Sequence, residues 1–188
     1  MRYLSVMRRS LSLALLLALA AAQPSRADQT DPALPALFAL LAEAPDAAVA
    51  APVEREIWVR WTQHADPAVE ALMEEAGLAM AVDDFDQALA ALDRVVAMAP
   101  GYAEGWNRRA TVHYLSGRLE GSLADVERVL ALEPRHFGAL SGRGLCLLAL
   151  DRPEEAAEAF AAALAVHPHL GGAQENLRAL RRGNGQDI

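Results

Sequence analysis

AEGWNRRATVHYLSGRLEGSLADVERVLALEP, residues 103–134, holds two amphipathic helices and the turn between them. Trp106 and Ala110 fall one helical turn apart, and Ser122, Val126, Val129, Leu130 and Leu132 follow the same helical spacing further on. Gly117 and Arg118 separate the two runs, and glycine tolerates the backbone of a helix-ending turn. Pro134 cannot continue a helix and closes the second run.

The pattern repeats on both sides. Pro100, Pro134 and Pro168 stand 34 residues apart, which divides the chain into windows 69–102, 103–136 and 137–170. Fourth positions are Leu72, Trp106 and Leu140, and eighth positions are Ala76, Ala110 and Gly144. Twentieth positions are Ala88, Ser122 and Ala156, and twenty-fourth positions are Leu92, Val126 and Phe160. Small residues at the eighth and twentieth places allow the two helix backbones of a window to approach closely. Asp83 and Asp84, Gly117 and Arg118, and Asp151 and Arg152 occupy the three inter-helix turns, and Pro153 suits the first turn of the helix that follows.

The three windows resemble tetratricopeptide repeats, residues 103–134 most closely. The resemblance implies an all-α fold, a right-handed helical solenoid of stacked antiparallel helix pairs. It assigns 69–102, 103–136 and 137–170 to three full repeats and 171–182 to a capping helix, in which Leu177 and Leu180 cover the last repeat. Residues 28–68 then form an N-terminal helical region that reads as a degenerate repeat, interrupted by Pro45 and Pro52, in which Trp58 and Trp61 either fill its junction with the first full repeat or stay partly exposed as a second interaction surface or dimer contact. Residues 183–188 are expected to be a disordered tail.

In this family, positions 2, 5, 9, 12 and 13 of each first helix, with positions 33 and 34 of the linker, line a concave groove. Carried over, the groove shows Met73, Met80, Tyr102, Asn107, Thr111, Tyr114, His136 and Ser141, with Arg108 beside them. Gly77 and Gly138 leave room for a bound chain. Such a surface suits a peptide or amphipathic helix of another protein better than a highly charged ligand. Some members grip a C-terminal carboxylate with Lys, Asn and Arg on the first helices. Met73, Gly77, Thr111, Ser141 and Leu145 stand at those places here, so that activity is not implied.

Position 7, usually apolar in the family, is Glu75, Arg109 and Arg143. A charge at a place normally buried needs a partner. Stacking is expected to set Glu75 beside Arg109 and Arg109 beside Arg143, with Asp125, Asp151 or a ligand anion completing the ladder. A sharper alternative joins Arg108, Arg109, Arg143 and His136 into an acid-binding corner.

The whole chain bounds the rest. Its 188 residues are 53% hydrophobic but only 5% aromatic, with 17 basic and 25 acidic residues. Residues 1–27 read as a cleavable signal peptide: Arg2, Arg8 and Arg9 precede the apolar stretch Leu11–Ala22, which is too short to span a bilayer, and Ser25-Arg26-Ala27 ends in small residues. Cleavage removes four Arg and no acid, leaving 13 basic against 25 acidic residues and a formal charge of −12. That charge argues against nucleic acid and anionic lipid as partners. A mature protein without a membrane span, exported to the periplasm, is the expectation. Cys146 is the only cysteine, so no internal disulfide forms.

No catalytic set and no cofactor are expected. Cys146 falls at a small-residue core position, and Ser116 and Ser122 have no histidine beside them by spacing. His64, His113, His136, His167 and His169, with Met73, Met80 and Met98, show no metal-ligand spacing, so no metal site is expected. The leading function is a protein-binding adaptor or scaffold. Accessory work in periplasmic metal or cofactor delivery, and a structural subunit of an envelope complex, are the alternatives. Oligomeric state is not legible.

Overall fold

The computed structural model describes residues 28–183. The expected signal peptide and the tail beyond residue 183 lie outside them. Nine helices run through the described residues: α1 (Leu34–Glu43), α2 (Ala47–Thr62), α3 (Pro67–Ala81), α4 (Phe85–Met98), α5 (Ala103–Leu115), α6 (Leu119–Leu132), α7 (Phe137–Ala149), α8 (Pro153–Val166) and α9 (Gly171–Gly183).

Helices α3 to α8 are the three repeats. Each pair packs within itself, α4 packs on α5, and α6 packs on α7. First helices α5 and α7 also touch each other, which puts the first helices on the inside of the curve. The turn within each pair is the same left-handed step: Asp83 has φ 58°, Gly117 φ 74° and Asp151 φ 56°, again 34 residues apart. Asp and Gly are among the few residues that enter this region readily. Asp84 then caps α4 by accepting the Gln87 backbone N–H.

The small eighth position does what its spacing predicts. A Cβ on Gly144 would come within 2.6 Å of the Phe160 ring. Leu72 and Leu140 are buried, while Trp106 is half-buried, donates to the Pro100 carbonyl at 3.1 Å and carries Arg109 and Arg128 on its faces. At the C-terminal end α9 packs on α8, with Ala173 and Leu177 buried.

The N-terminal hairpin departs from expectation. Residues 34–62 form a helix pair, yet the pair does not stack in front of the first repeat. Instead α2 lies against α5, and α1 lies against α8. Leu34, Phe38, Leu41, Ile57 and Trp61 join Phe137 in one buried cluster, with Val166 and Leu170 packed against it. Each such side chain contributes about 1.5–3 kcal/mol on leaving water, which seats the hairpin on the array. Pro52 does not interrupt α2, which continues through it, and Pro45 lies between α1 and α2. Asp46 caps α2 by accepting the Val49 N–H.

Candidate partner-binding groove

Trp58 and Trp61 occupy the inner wall at the boundary between the second and third repeats. Trp61, 1% exposed, stacks flat on the His136 ring at 4.1 Å between centroids. Trp58 meets Trp61, His136 and Phe137 edge-on. Both rings are therefore packed, but against the linker of repeats two and three rather than at the junction with the first repeat. Gly138 makes this approach feasible: a Cβ there would sit 2.8 Å from Cη2 of Trp58. Room for a bound chain was expected at Gly138, and the chain that takes it is the protein's own α2.

Three histidines hold the hairpin. His136 accepts the Ala139 N–H on Nδ1, which caps α7 and leaves Nε2 as the proton-bearing nitrogen of the neutral ring. That Nε2 faces Oε2 of Glu104 at 3.4 Å. His167, also buried, sets Nε2 at 3.2 Å from the Glu54 carboxylate of α2. His169 donates from Nε2 to the Ala44 carbonyl at 2.7 Å. Arg135 lies over the Phe38 ring at 4.2 Å, steadied by Glu133 through two guanidinium bonds of 2.9 Å.

Several residues expected on an open surface are covered. His136 and Tyr102 are buried, and burial, with Glu104 nearby, pushes the Tyr102 hydroxyl well above the usual phenol range. Met73 belongs to the apolar core of the first repeat, against which Met80 packs half-buried. Asn107 donates to Glu104 at 2.8 Å, and Arg108 reaches Glu104 at 3.7 Å and the Met73 carbonyl at 3.3 Å. Thr111 is exposed, while Tyr114 and Ser141 are half-buried.

What stays open falls into two parts. A slot of about 260 Å³ runs between α2 and the inner wall, lined by Asn107, Thr111, Tyr114, Ser141 and Leu145 with Trp58 as its lid. A wider trough of about 780 Å³ lies at the end of α2, lined by His64, Glu70, Met73, Gly77 and Arg108 among others. Four expected groove residues, Asn107, Thr111, Tyr114 and Ser141, meet in the slot, and Met73 and Arg108 meet in the trough. Sequence reasoning missed Glu54, Trp58 and Leu170 as slot residues. They come from the hairpin and the last linker, and only Gly138 hinted at an approach there.

The expected ladder of Glu75, Arg109 and Arg143 does not form, although Asp125, one of the acids named for it, does meet Arg109. Arg109 forms a two-pronged pair with Asp125, at 2.8 and 2.7 Å, and adds Asp93 at 2.8 Å. Arg143 faces Glu127 at 3.6 Å. Asp93 and Glu127 hold the same place on α4 and α6, so each arginine reaches back to the second helix of the preceding repeat. Glu75 does not meet Arg109, because α4 lies between successive first helices on that side. The acid-binding corner does not assemble either: Arg108 and His136 converge on Glu104, whereas Arg109 and Arg143 face the second helices.

Cys146 is buried, its thiol donating a hydrogen bond to the Ser122 hydroxyl oxygen at 3.1 Å, and burial pushes its thiol pKa up. Among the described residues no three His, Cys, Asp or Glu converge as metal ligands, and no helix is long and apolar enough to cross a membrane.

Stacked helix pairs around an inner wall that seats a helix define a helical-repeat scaffold. Family models of the tetratricopeptide repeat match residues 73–131 and 116–170, and the chain belongs to that family. It is similar to a TPR repeat-containing protein of Rhizobium etli, with 36% identity over 135 residues that cover 72% of this chain. The match spans 66% of that relative, just under two thirds of its length. Among solved structures, the Sgt2 TPR domain from Aspergillus fumigatus superposes with a TM-score of 0.61 at 21% identity, covering 64% of this chain and 82% of that one. The first TPR of Spaghetti (RPAP3), bound to the HSP90 peptide SRMEEVD, gives 0.61 at 20% identity, covering 63% and 94%.

Proposed function

We propose that the protein is an exported adaptor of the periplasm that holds a peptide or helical segment of another protein along its inner wall. The observation that carries this is the seating of α2. The wall accommodates a helix through aromatic anchors, a glycine cleared for them and histidine contacts, and it leaves a slot alongside. A partner segment follows the trough at Gly77 and Arg108 into the slot, where Tyr114, Thr111, Asn107 and Ser141 surround one apolar side chain and bond its backbone. A structural relative holding a peptide supports the same use of the fold. The export reading rests on residues 1–27 of the sequence.

Placing p-benzoylphenylalanine at the exposed Thr111 and illuminating living cells should join the protein to a discrete partner. The same group at Ala131, exposed on α6, should not, and Ser141→Trp, which fills the slot, should abolish the Thr111 product. Equal products from Thr111 and Ala131 would defeat the proposal. Osmotic-shock fractionation with N-terminal sequencing tests export, and a released chain beginning at Asp28 is expected.

A further inference from the structure

In the second and third repeats, the third and tenth positions of the first helix are stacking positions. Gly105 and Val112, then Ala139 and Cys146, are all buried. A Cβ on Gly105 would come 2.7 Å from Val95 of the preceding repeat, and Val112 joins the first repeat's apolar cluster. The equivalent residues of the first repeat are Ala71 and Leu78. Because the N-terminal hairpin lies in the groove, it does not stack there, and Leu78 is 66% exposed while Val82, one turn on, is 74% exposed. Glu74 and Glu75 border this strip around a hollow of about 390 Å³.

Repeat arrays ordinarily present polar outer faces at their ends. Here the C-terminal end does so and the N-terminal end does not. Helix α9 turns Arg178, Arg181 and Arg182 outward, and Arg178 and Arg181 rim a shallow hollow floored by Leu164 and Leu177.

We propose that the open face of α3 docks α9 of a second copy of this chain, so that molecules associate head to tail along the axis of the stack. Glu74 and Glu75 meet the arginines of α9, and Leu78 lies on their aliphatic stems, which cover apolar surface while keeping the charge in water. Symmetric pairing of two α3 faces is disfavoured, since it sets Glu74 and Glu75 of one copy against those of the other. A head-to-tail contact that does not close propagates into open chains.

Sedimentation velocity of the full mature chain tests this. The weight-average sedimentation coefficient should rise with protein concentration at low salt, and added salt should suppress the rise. Leu78→Ser should weaken association about tenfold. Glu74→Arg/Glu75→Arg and Arg178→Glu/Arg181→Glu should each be monomeric, the first with two basic ends and the second with two acidic ends. Mixing the two variants should restore association, because every head then finds a tail of opposite charge. A native chain that stays monomeric up to about 1 mM overturns the proposal. So does an Arg178→Glu/Arg181→Glu variant that still associates by itself, which would mark symmetric pairing of intact α3 faces, or a mixture that remains monomeric. All four charged sites are at least part-exposed, and unchanged far-UV circular dichroism separates lost association from lost fold.

Discussion

Gly138→Ala is informative because its sign depends on where the hairpin lies. Were residues 34–62 stacked in front of the first repeat, position 138 would face an open groove near the start of α7. Alanine would then stabilise by about 0.5–1 kcal/mol, through helix propensity and a less flexible unfolded chain. With α2 docked as described, the new Cβ falls 2.8 Å from Cη2 and 3.1 Å from Cζ2 of Trp58. Trp58 is a flat, stiff side chain enclosed by Trp61, His136 and Phe137, so it cannot swing clear without disturbing them. Overpacking of this kind costs about 1–3 kcal/mol, which outweighs the propensity gain and leaves a net loss of up to about 2 kcal/mol. In a Trp58→Ala background the obstacle is gone, and Gly138→Ala should become stabilising. The coupling in the double-mutant cycle is therefore about 1–3 kcal/mol. Urea unfolding followed by far-UV circular dichroism measures it without relying on tryptophan emission. Stabilisation by the same amount in both backgrounds would refute the docking.

Two further expectations follow from the charged groups. Arg109→Ala strips the buried Asp125 carboxylate of its two-pronged partner and should lower stability by about 3 kcal/mol, read by thermal melting, while leaving binding of a partner segment unchanged. A loss of binding at unchanged stability would instead reinstate an anion-holding role for that arginine. His113 has its pKa lowered, chiefly by burial, with Asp125 at 3.8 Å opposing the shift. The folded state thus binds this proton less readily than the unfolded state. The contribution is fully present above the unfolded value near 6.5, and it is lost as pH falls from there through the folded-state pKa. His113→Gln should flatten that part of the stability profile measured by urea unfolding, and an unchanged slope would contradict the assignment.

The repeat core was legible because it is local and periodic. Pro100, Pro134 and Pro168 fix the interval, and Asp83, Gly117 and Asp151 mark turns whose backbone few other residues adopt. The small eighth positions likewise declare a close helix contact, which Gly144 and Phe160 make. The hairpin's place was not legible. Trp58 and Trp61 match the spacing of a second repeat helix, and spacing says which face is apolar without saying what covers it. Its partners lie about 75 to 125 residues further along, at His136, Phe137, His167 and His169, and such pairings leave no periodic trace. For the charged seventh positions Asp125 was legible as a partner, but the contacts between repeats were not, for a related reason. The acids of the preceding repeat that Arg109 and Arg143 reach, Asp93 and Glu127, sit on second helices, where they read equally well as solvated surface.

The candidate site was half legible. Asn107, Thr111, Tyr114 and Ser141 come together as family positions imply, because the first helices face inward wherever the pairs stack regularly. Tyr102, His136 and Met73 share those positions but are buried, His136 by the hairpin and Tyr102 and Met73 in the apolar core of the first repeat. A register can place a residue on the inner wall, but it does not reveal a second layer lying over that wall.

Intramolecular photo-crosslinking from residue 58 addresses the arrangement most directly. With p-benzoylphenylalanine in place of Trp58, illumination of the purified protein and mass spectrometry of its digest should locate the new bond within residues 107–145 of the same chain, the segment that lines the slot beneath that ring. A bond to residues 69–80 of α3 would put the hairpin in front of the first repeat and leave the inner wall uncovered, contrary to the account given above.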